Sequence, residues 1–252
     1  MTLTEPRMTS PSSSRPRPAY EATIERIFEH TFDTRSFFLQ LPHGQRFTFK
    51  PGQFISLQLP VDDTVLTRPY SLASNPEEGN LLEICLNLVP NGPGSHYLFA
   101  RELGEALRFT GPWGTFVLDQ PPEAECVFIA DGTGIAPIRS MLHRVLTSGP
   151  RSFVQLLYSA PKEGDLLYRQ EWEAWARDCH RFTFVPLLSN PAKDWSGLQG
   201  SLLEYMEQRY VSANSDRSRH FYICGVGQQV IQLRDLLRHA GYQRRTVQYE
   251  KW

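Results

Sequence analysis

Phe128-Ile-Ala-Asp-Gly-Thr-Gly-Ile-Ala-Pro137 runs an apolar, strand-like stretch into a glycine-rich turn and then into helix-forming sequence. The chemistry open to such a turn is anion binding. Gly132 and Gly134 let the backbone approach a phosphate with no side chain between, and the unpaired amides and positive dipole end of the following helix favour its charge. Thr133, Ile135 and Ala136 complete the segment, and Pro137 suits a first helical turn, where a missing N–H costs little. A strand-to-helix turn that is merely tight and binds nothing would carry the same glycines.

A second constellation precedes it: Arg68-Pro69-Tyr70-Ser71, then Gly92-Pro93-Gly94-Ser95 at the start of a helical stretch, His96–Glu102. Arg68 offers planar, permanently charged donors suited to phosphate, and Ser95 can cap a helix whose N-terminal amides face the same anion. Tyr70 offers a flat face to an aromatic ring, and Ser71 a donor to a ring nitrogen. A tyrosine in a strand is equally at home in cross-strand packing. The two motifs in this order strengthen the reading of a phosphate-bearing aromatic ligand, a flavin.

These residues need a scaffold. Short β-rich runs split by turn residues extend from Tyr20 to about Leu118: Tyr20–Phe28, Ser36–Leu41, Gln53–Leu59, Tyr70–Leu72, Leu81–Leu88 and Leu107–Phe109. Their spacing predicts a small antiparallel β-barrel. Beyond Pro121-Pro122, strand-like Cys126–Ala130, Phe153–Tyr158, Phe182–Leu187 and Phe221–Cys224 alternate with helical segments, which predicts an α/β domain on a parallel sheet. Ile135, Ile138, Met141, Leu142, Val145 and Leu146 form one apolar helix face that Gly149-Pro150 ends. A second helix is expected over about Gln228–Ala240, with Gly241 as its C-terminal cap, and Ser201-Leu-Leu-Glu204 reads as a capping box before a third. The fold class is therefore two domains, residues 18–120 and 121–252. The Pro/Ser/Arg-rich residues 1–17 are expected to be a disordered tail.

Composition narrows the partners. Among 252 residues, 40% hydrophobic and 21% charged, 26 Lys+Arg balance 27 Asp+Glu for a net charge of -1, which argues against a nucleic-acid or anionic-membrane binder. No stretch reaches the roughly 20 apolar residues that span a bilayer, and the first residues lack the apolar core of a signal peptide; the expected location is the cytoplasm. Cys85, Cys126, Cys179 and Cys224 match neither a C-x-x-C metal site nor an iron–sulfur run, and no metal is assigned to them or to the seven histidines. Cys85, Cys126 and Cys179 read as structural thiols.

Phe49-Lys-Pro-Gly-Gln-Phe54, Arg68-Pro-Tyr-Ser71, Gly92-Pro-Gly-Ser95, Gly111-Pro-Trp-Gly-Thr-Phe116, Gly132-Thr-Gly-Ile-Ala-Pro137, Cys224-Gly225 and the terminal Tyr249-Glu-Lys-Trp252 occur in one order, and in this the chain resembles the ferredoxin–NADP⁺ reductase superfamily from about Tyr20 to Trp252. The resemblance implies a six-stranded FAD barrel followed by a five-stranded parallel nucleotide-binding sheet. By that resemblance Arg68 contacts the flavin pyrophosphate, Tyr70 packs on the isoalloxazine, Ser71 lies near the ring nitrogen that receives hydride, and Gly92 to Ser95 hold phosphate. Gly132 to Pro137 hold the nicotinamide pyrophosphate, with Cys224-Gly225 beside the nicotinamide ring at the end of a parallel strand. Trp252 is then a movable lid over the flavin and Glu250 a nearby carboxylate.

The implied activity is that of an FAD-dependent oxidoreductase that takes two electrons from NADH or NADPH and exchanges them with a separate electron-transfer protein, ferredoxin-like or an oxygenase component. Leu188-Ser-Asn-Pro191 offers no Arg or Lys to a 2′-phosphate, which leans toward NADH, although Arg169 and Lys162 are further phosphate partners to weigh. Arg217-Ser-Arg219 and Arg244-Arg245 are either a docking face for an acidic partner or a solvated surface. Two other functions compete: reduction of free flavin or ferric chelates, and a non-catalytic flavin-binding regulatory or assembly subunit.

Overall fold

A computed structural model describes residues 19–120, 122–213 and 215–252. The tail expected over residues 1–17 and the expected junction at Pro121 lie outside the described residues.

The first half alternates inward apolar and outward residues, and that alternation builds its sheet. Strands β1 (Ala19–Thr31), β2 (Thr34–Gln40), β3 (Phe54–Val61), β4 (Thr64–Ser71), β5 (Leu81–Asn87) and β6 (Ala106–Trp113) pair antiparallel in the order β4-β3-β6-β1-β2-β5. Phe37 and Leu39 from β2, Ile55, Leu57 and Leu59 from β3, Leu82, Ile84 and Leu86 from β5, and Leu107 and Phe109 from β6 share one core. The sheet curls until the residues after β4 meet β5, through a Leu72–Ile84 bridge and an Ala73 N–H bond to the Glu83 carbonyl at 2.8 Å. The expected barrel is thus observed. Helix α1 (Pro93–Phe99) lies in the β5–β6 connection.

The second half carries β7 (Cys126–Asp131), β8 (Val154–Ala160), β9 (Phe182–Leu188), β10 (Leu198–Gln199), β11 (His220–Gly225) and β12 (Val247–Lys251), all parallel, in the order β10-β9-β8-β7-β11-β12. Both faces are covered, as a parallel sheet requires. Cys126, Phe128 and Ala130 join α2 (Ile135–Thr147) and α3 (Arg169–Asp178) on one side, while Val127 and Ile129 join α4 (Leu202–Met206) and α5 (Gln228–His239) on the other. Of the expected capping box the bond from the Glu204 N–H to Ser201 Oγ forms, and Gly241 takes the left-handed conformation after α5. Strand order reverses beside β7, since β8 lies on one side and β11 on the other, and ligands of open α/β sheets bind at the carboxyl ends of strands flanking such a point.

Three details depart from the sequence expectation. The parallel sheet has six strands rather than five, because the two-residue β10 adds to β9. The terminal Val247–Lys251 is itself a strand, paired along β11. β4 reaches back to Thr64; it pairs on one side with β3 alone, so most of it stays exposed and shows no alternation to read, and Pro69 is tolerated there as on any edge.

Candidate active site

A cleft of ≈ 460 Å³ opens between the barrel and the carboxyl ends of β7 and β11. It falls in the size range of small-molecule sites. Arg68, Pro69, Tyr70, Ser71 and Gly92 to Ser95 line its barrel side; Thr133, Ala136 and Trp252 line the other. An adjoining cleft of ≈ 470 Å³ shares Asn87, Thr133 and Val226 with the first and adds Gly132, Asp131 and Lys162. The groove is therefore continuous. Residues from both ordered motifs and from the C-terminus come together there from remote parts of the chain.

On the barrel side, α1 is pressed against β4: a Cβ at Gly94 would meet Arg68 Cγ and Leu59 Cδ1 at 3.2 Å and the Tyr70 hydroxyl at 3.6 Å. Arg68 keeps an exposed guanidinium with one bond among the described residues, to the Thr67 carbonyl at 3.0 Å, which leaves other donors for an anion at the start of α1. Ser95 does not cap α1 as the sequence suggested. Gly92 is the cap residue, and Ser95 sits one turn in, where its Oγ accepts from the Val89 N–H at 3.0 Å and donates to the Gly92 carbonyl at 2.9 Å. It braces the turn that leads into the helix.

On the sheet side, Gly132 has φ +54, which glycine adopts freely, and nothing stands within 4 Å of where its Cβ would be. Gly134 is required for a different reason: a Cβ there would lie 2.3 Å from the Cys224 carbonyl oxygen and 2.7 Å from the Gly225 nitrogen. Ile135 and Pro137 turn to the buried face of α2 rather than to the groove, so they support the turn without lining the cleft. Asp131, just before the turn, has its carboxyl raised by burial, partly offset by a hydrogen bond to Ser159.

Where the halves meet, Cys224 is directly paired with Glu250 in the β11–β12 register. Burial and the neighbouring Glu250 carboxylate push the Cys224 thiol up, and burial pushes Glu250 up to about 7. Glu250 Oε2 and Ser71 Oγ are both buried with no hydrogen-bond partner among the described residues. Buried polar atoms are rarely left so; Ser71 lines the cleft, whereas Cys224, Gly225 and Glu250 are not among the residues that line it. Trp252 is held by its backbone, its N–H donating to the Gly225 carbonyl at 3.1 Å and its carbonyl accepting from Gly227 at 3.2 Å, while its ring stands edge-on to Phe54 at 6.2 Å.

Sequence reasoning missed a buried polar network joining the halves. Arg139 on α2 donates to Glu83 on β5 at 2.7 Å, to the Ala73 carbonyl at 2.9 Å and to Glu171 on α3 at 2.9 Å, and its guanidinium lies 4.5 Å over the Tyr168 ring. Tyr168 donates to Glu83 at 2.8 Å and its hydroxyl lies 2.9 Å from Ser36 Oγ on β2. The available signal was Glu83 itself, a lone carboxylate inside the apolar run Leu81–Leu88, since a charge buried in a strand demands a partner. Cys85 is buried in the core, as expected, and also lines the cleft, whereas Cys179 is only half-buried.

The basic residues sort themselves. Arg169 is paired with Glu163 and, at 2.6 Å, with Glu173, whereas Lys162 stands at the second cleft. Ser189 and Asn190 are exposed just past β9, tied by their backbone to Ala160 and Pro161. Arg219 is held by Glu125 at 2.7 Å and Arg217 donates to the Ala240 carbonyl at 2.6 Å, at the edge where β7 and β11 begin. Arg244 and Arg245 precede β12 on that same edge, opposite the groove.

Family comparison follows this layout. Residues 21–118 match the oxidoreductase FAD-binding domain and residues 128–233 the oxidoreductase NAD-binding domain. Ferredoxin–NADP reductase B of Sorangium cellulosum is 34% identical over 237 residues, which cover 92% of this chain and 97% of that one. The chain belongs to the ferredoxin–NADP reductase superfamily. A second member, the anthranilate 1,2-dioxygenase electron transfer component of Acinetobacter baylyi, is 33% identical over 73% of this chain, which spans about half, 52%, of that relative. In fold, the ferredoxin NADP⁺ reductase of Neisseria gonorrhoeae with bound FAD and NADP superposes with a TM-score of 0.81 over 92% of this chain and 98% of that one, at 23% identity. This reductase-family chain is accordingly a flavin oxidoreductase whose cofactors are FAD and a nicotinamide dinucleotide.

Proposed function

We propose that the protein takes hydride from NADH onto FAD and passes the electrons to a separate redox protein, with residues 18–120 holding the flavin and 121–252 the nicotinamide. The observation that carries this reading is Ser71 Oγ, buried and without a hydrogen-bond partner among the described residues, at a groove with a phosphate-type turn on each side. Bound FAD supplies two-electron acceptance from nicotinamide and one-electron release to an iron–sulfur or haem partner. The chain's own part is to bind, orient and dry the site.

Arg68 and the amides opening α1, at Gly92 to Ser95, hold the flavin pyrophosphate, Pro69 fixes the strand between them, and Tyr70 packs on the ring. Ser71 donates to the ring nitrogen. Gly132 to Gly134 hold the nicotinamide pyrophosphate over the α2 amides, and Gly225, where a Cβ would meet Asp131 Cβ at 2.9 Å, lets β11 end close against the residue that opens the turn. Glu250, with its carboxyl near neutrality, holds or gives up a proton at Oε2 beside Cys224, and Trp252 covers the ring face until nicotinamide enters. The lean to NADH rests on Asn190 and on Arg169, whose charge two glutamates already neutralise. A cytoplasmic location fits that donor, and among the described residues no helix is long and apolar enough to cross a membrane.

A protein acceptor is favoured by the dioxygenase electron transfer component among the relatives. FAD-loaded protein should reduce an iron–sulfur protein of the ferredoxin class at the expense of NADH, with turnover rising with that protein's concentration. Turnover indifferent to any redox protein but rapid with free flavin or ferric citrate would place it instead among reductases of small acceptors.

A further inference from the structure

Strand β5 shows two faces. Leu82, Ile84 and Leu86 point into the barrel core, while Glu83, Cys85 and Asn87 point the other way, Cys85 and Asn87 into the cleft and Glu83 onto Arg139. On the partner side, Ala136 lines the cleft and Arg139 follows it by one turn of α2. One rigid strand and one rigid helix therefore each carry a cleft residue and, a single repeat away, one half of an ion pair. Glu83 and Arg139 side chains are 4% and 15% exposed. Tyr168 closes the arrangement from below, tying Glu83 to Ser36, and Glu171 holds the other edge of the guanidinium.

We propose that Arg139 and Glu83, buttressed by Tyr168, form a positioning latch that sets the spacing and register between the flavin half and the nicotinamide half of the cleft. The apolar contact between the halves, in which Ala73, Cys85 and Phe116 join the α2 cluster, supplies attraction but no direction. The latch supplies direction, because a planar guanidinium that meets two carboxylates and a carbonyl is satisfied in one orientation only. None of the three latch residues is among those that line the cleft, so they act through Cys85, Asn87 and Ala136. The proposal rests on the hydride-transfer reading above, where distance between the two rings decides the rate.

The test compares Arg139→Lys, Glu83→Gln and Tyr168→Phe with the wild type, all loaded with FAD. Tyr168→Phe keeps the ring under Arg139 and removes only its hydroxyl bonds, so it reports even where the charge variants fold poorly. Flavin bleaching by NADH under anaerobic conditions should slow, by about 10²-fold for Arg139→Lys if the rings are misplaced by about 1 Å, and less for Tyr168→Phe. The FAD dissociation constant, and the rate at which dithionite-reduced protein passes electrons to ferricyanide, should stay within twofold of wild type, because both depend on the barrel alone. Hydrogen exchange at the first turn of α2 should quicken in the FAD-free variants. Unchanged bleaching and exchange in folded Tyr168→Phe and Arg139→Lys overturn the latch, as does a fall in FAD affinity that matches the fall in rate, which marks a purely structural role. A wild type that binds FAD and is not bleached overturns the hydride-transfer reading and the rate claim with it.

Discussion

Glu250 and Cys224 face each other across β11 and β12, and the Glu250 carboxyl has a buried oxygen, Oε2, with no hydrogen-bond partner among the described residues. Burial holds Glu250 near pH 7, above its usual value of 4.5. A carboxyl raised on folding binds its proton more tightly in the native state, so native stability falls as pH climbs from about 4.5 to 7 and stays low beyond. Glu250→Gln removes that loss. In FAD-free protein the variant should gain on the order of 1–3 kcal/mol over wild type at pH 8 and little at pH 4. Urea unfolding at the two pH values checks it; equal gains at both would contradict the assignment.

The two glycines of the turn should fail differently. Gly134→Ala drives a Cβ to 2.3 Å from backbone, which cannot yield as a side chain does, and a loss of about 2–3 kcal/mol is expected. Gly132→Ala meets open space and pays only for its positive φ, about 1–2 kcal/mol. Chemical denaturation should rank them in that order, while Gly132→Ala alone should still weaken NADH binding, because its methyl faces the groove.

Why the turn was readable and the latch was not follows from the range of the interactions. Gly132-Thr-Gly134 acts through local backbone freedom and the helix immediately after it, and Arg68 to Ser71 through a strand a few residues long, so both leave marks in adjacent sequence. Arg139, Glu83 and Tyr168 meet across the two halves of the chain, and only the oddity of a glutamate in an apolar strand hints at a partner. β12 was hidden for another reason: Val247-Gln-Tyr-Glu alternates apolar and polar residues, but a run of five residues is too short to stand out. Ser95 was misjudged as a cap because its spacing from Gly92 fits a helix start, whereas the glycine had already taken that place.

Among the described residues Arg68 is the one arginine that lines the cleft, at the start of α1. Its replacement by Ala should weaken FAD binding by about 10- to 100-fold, the worth of a charge-assisted hydrogen bond of 1.5–3 kcal/mol. Lys should restore part of the affinity as a point charge without the planar fork. Quenching of FAD fluorescence on titration measures it, and an unchanged dissociation constant would remove Arg68 from the flavin site.

Trp252 occupies the cleft with its ring and the β11 end with its backbone. Trp252→Ala keeps the backbone bonds to Gly225 and Gly227 and clears the ring, so NADH should bind more tightly, by up to about tenfold, with a concurrent shift of the flavin absorbance band. Deleting the residue removes both and should in addition loosen the Val226–Gly227 turn. Affinity and spectrum that stay as in wild type would mean that the indole is only a packing contact against Phe54.

The central claim is that nicotinamide and flavin react in the groove between the two halves. Anaerobic stopped-flow absorbance of the FAD-loaded protein, mixed separately with NADH and NADPH, tests it most directly. Rapid bleaching of the oxidised flavin band by NADH, and slower or weaker bleaching by NADPH, is the result this account predicts. Flavin that is bound and stays oxidised with both donors would contradict it and make the protein a flavin-binding subunit without reductase activity.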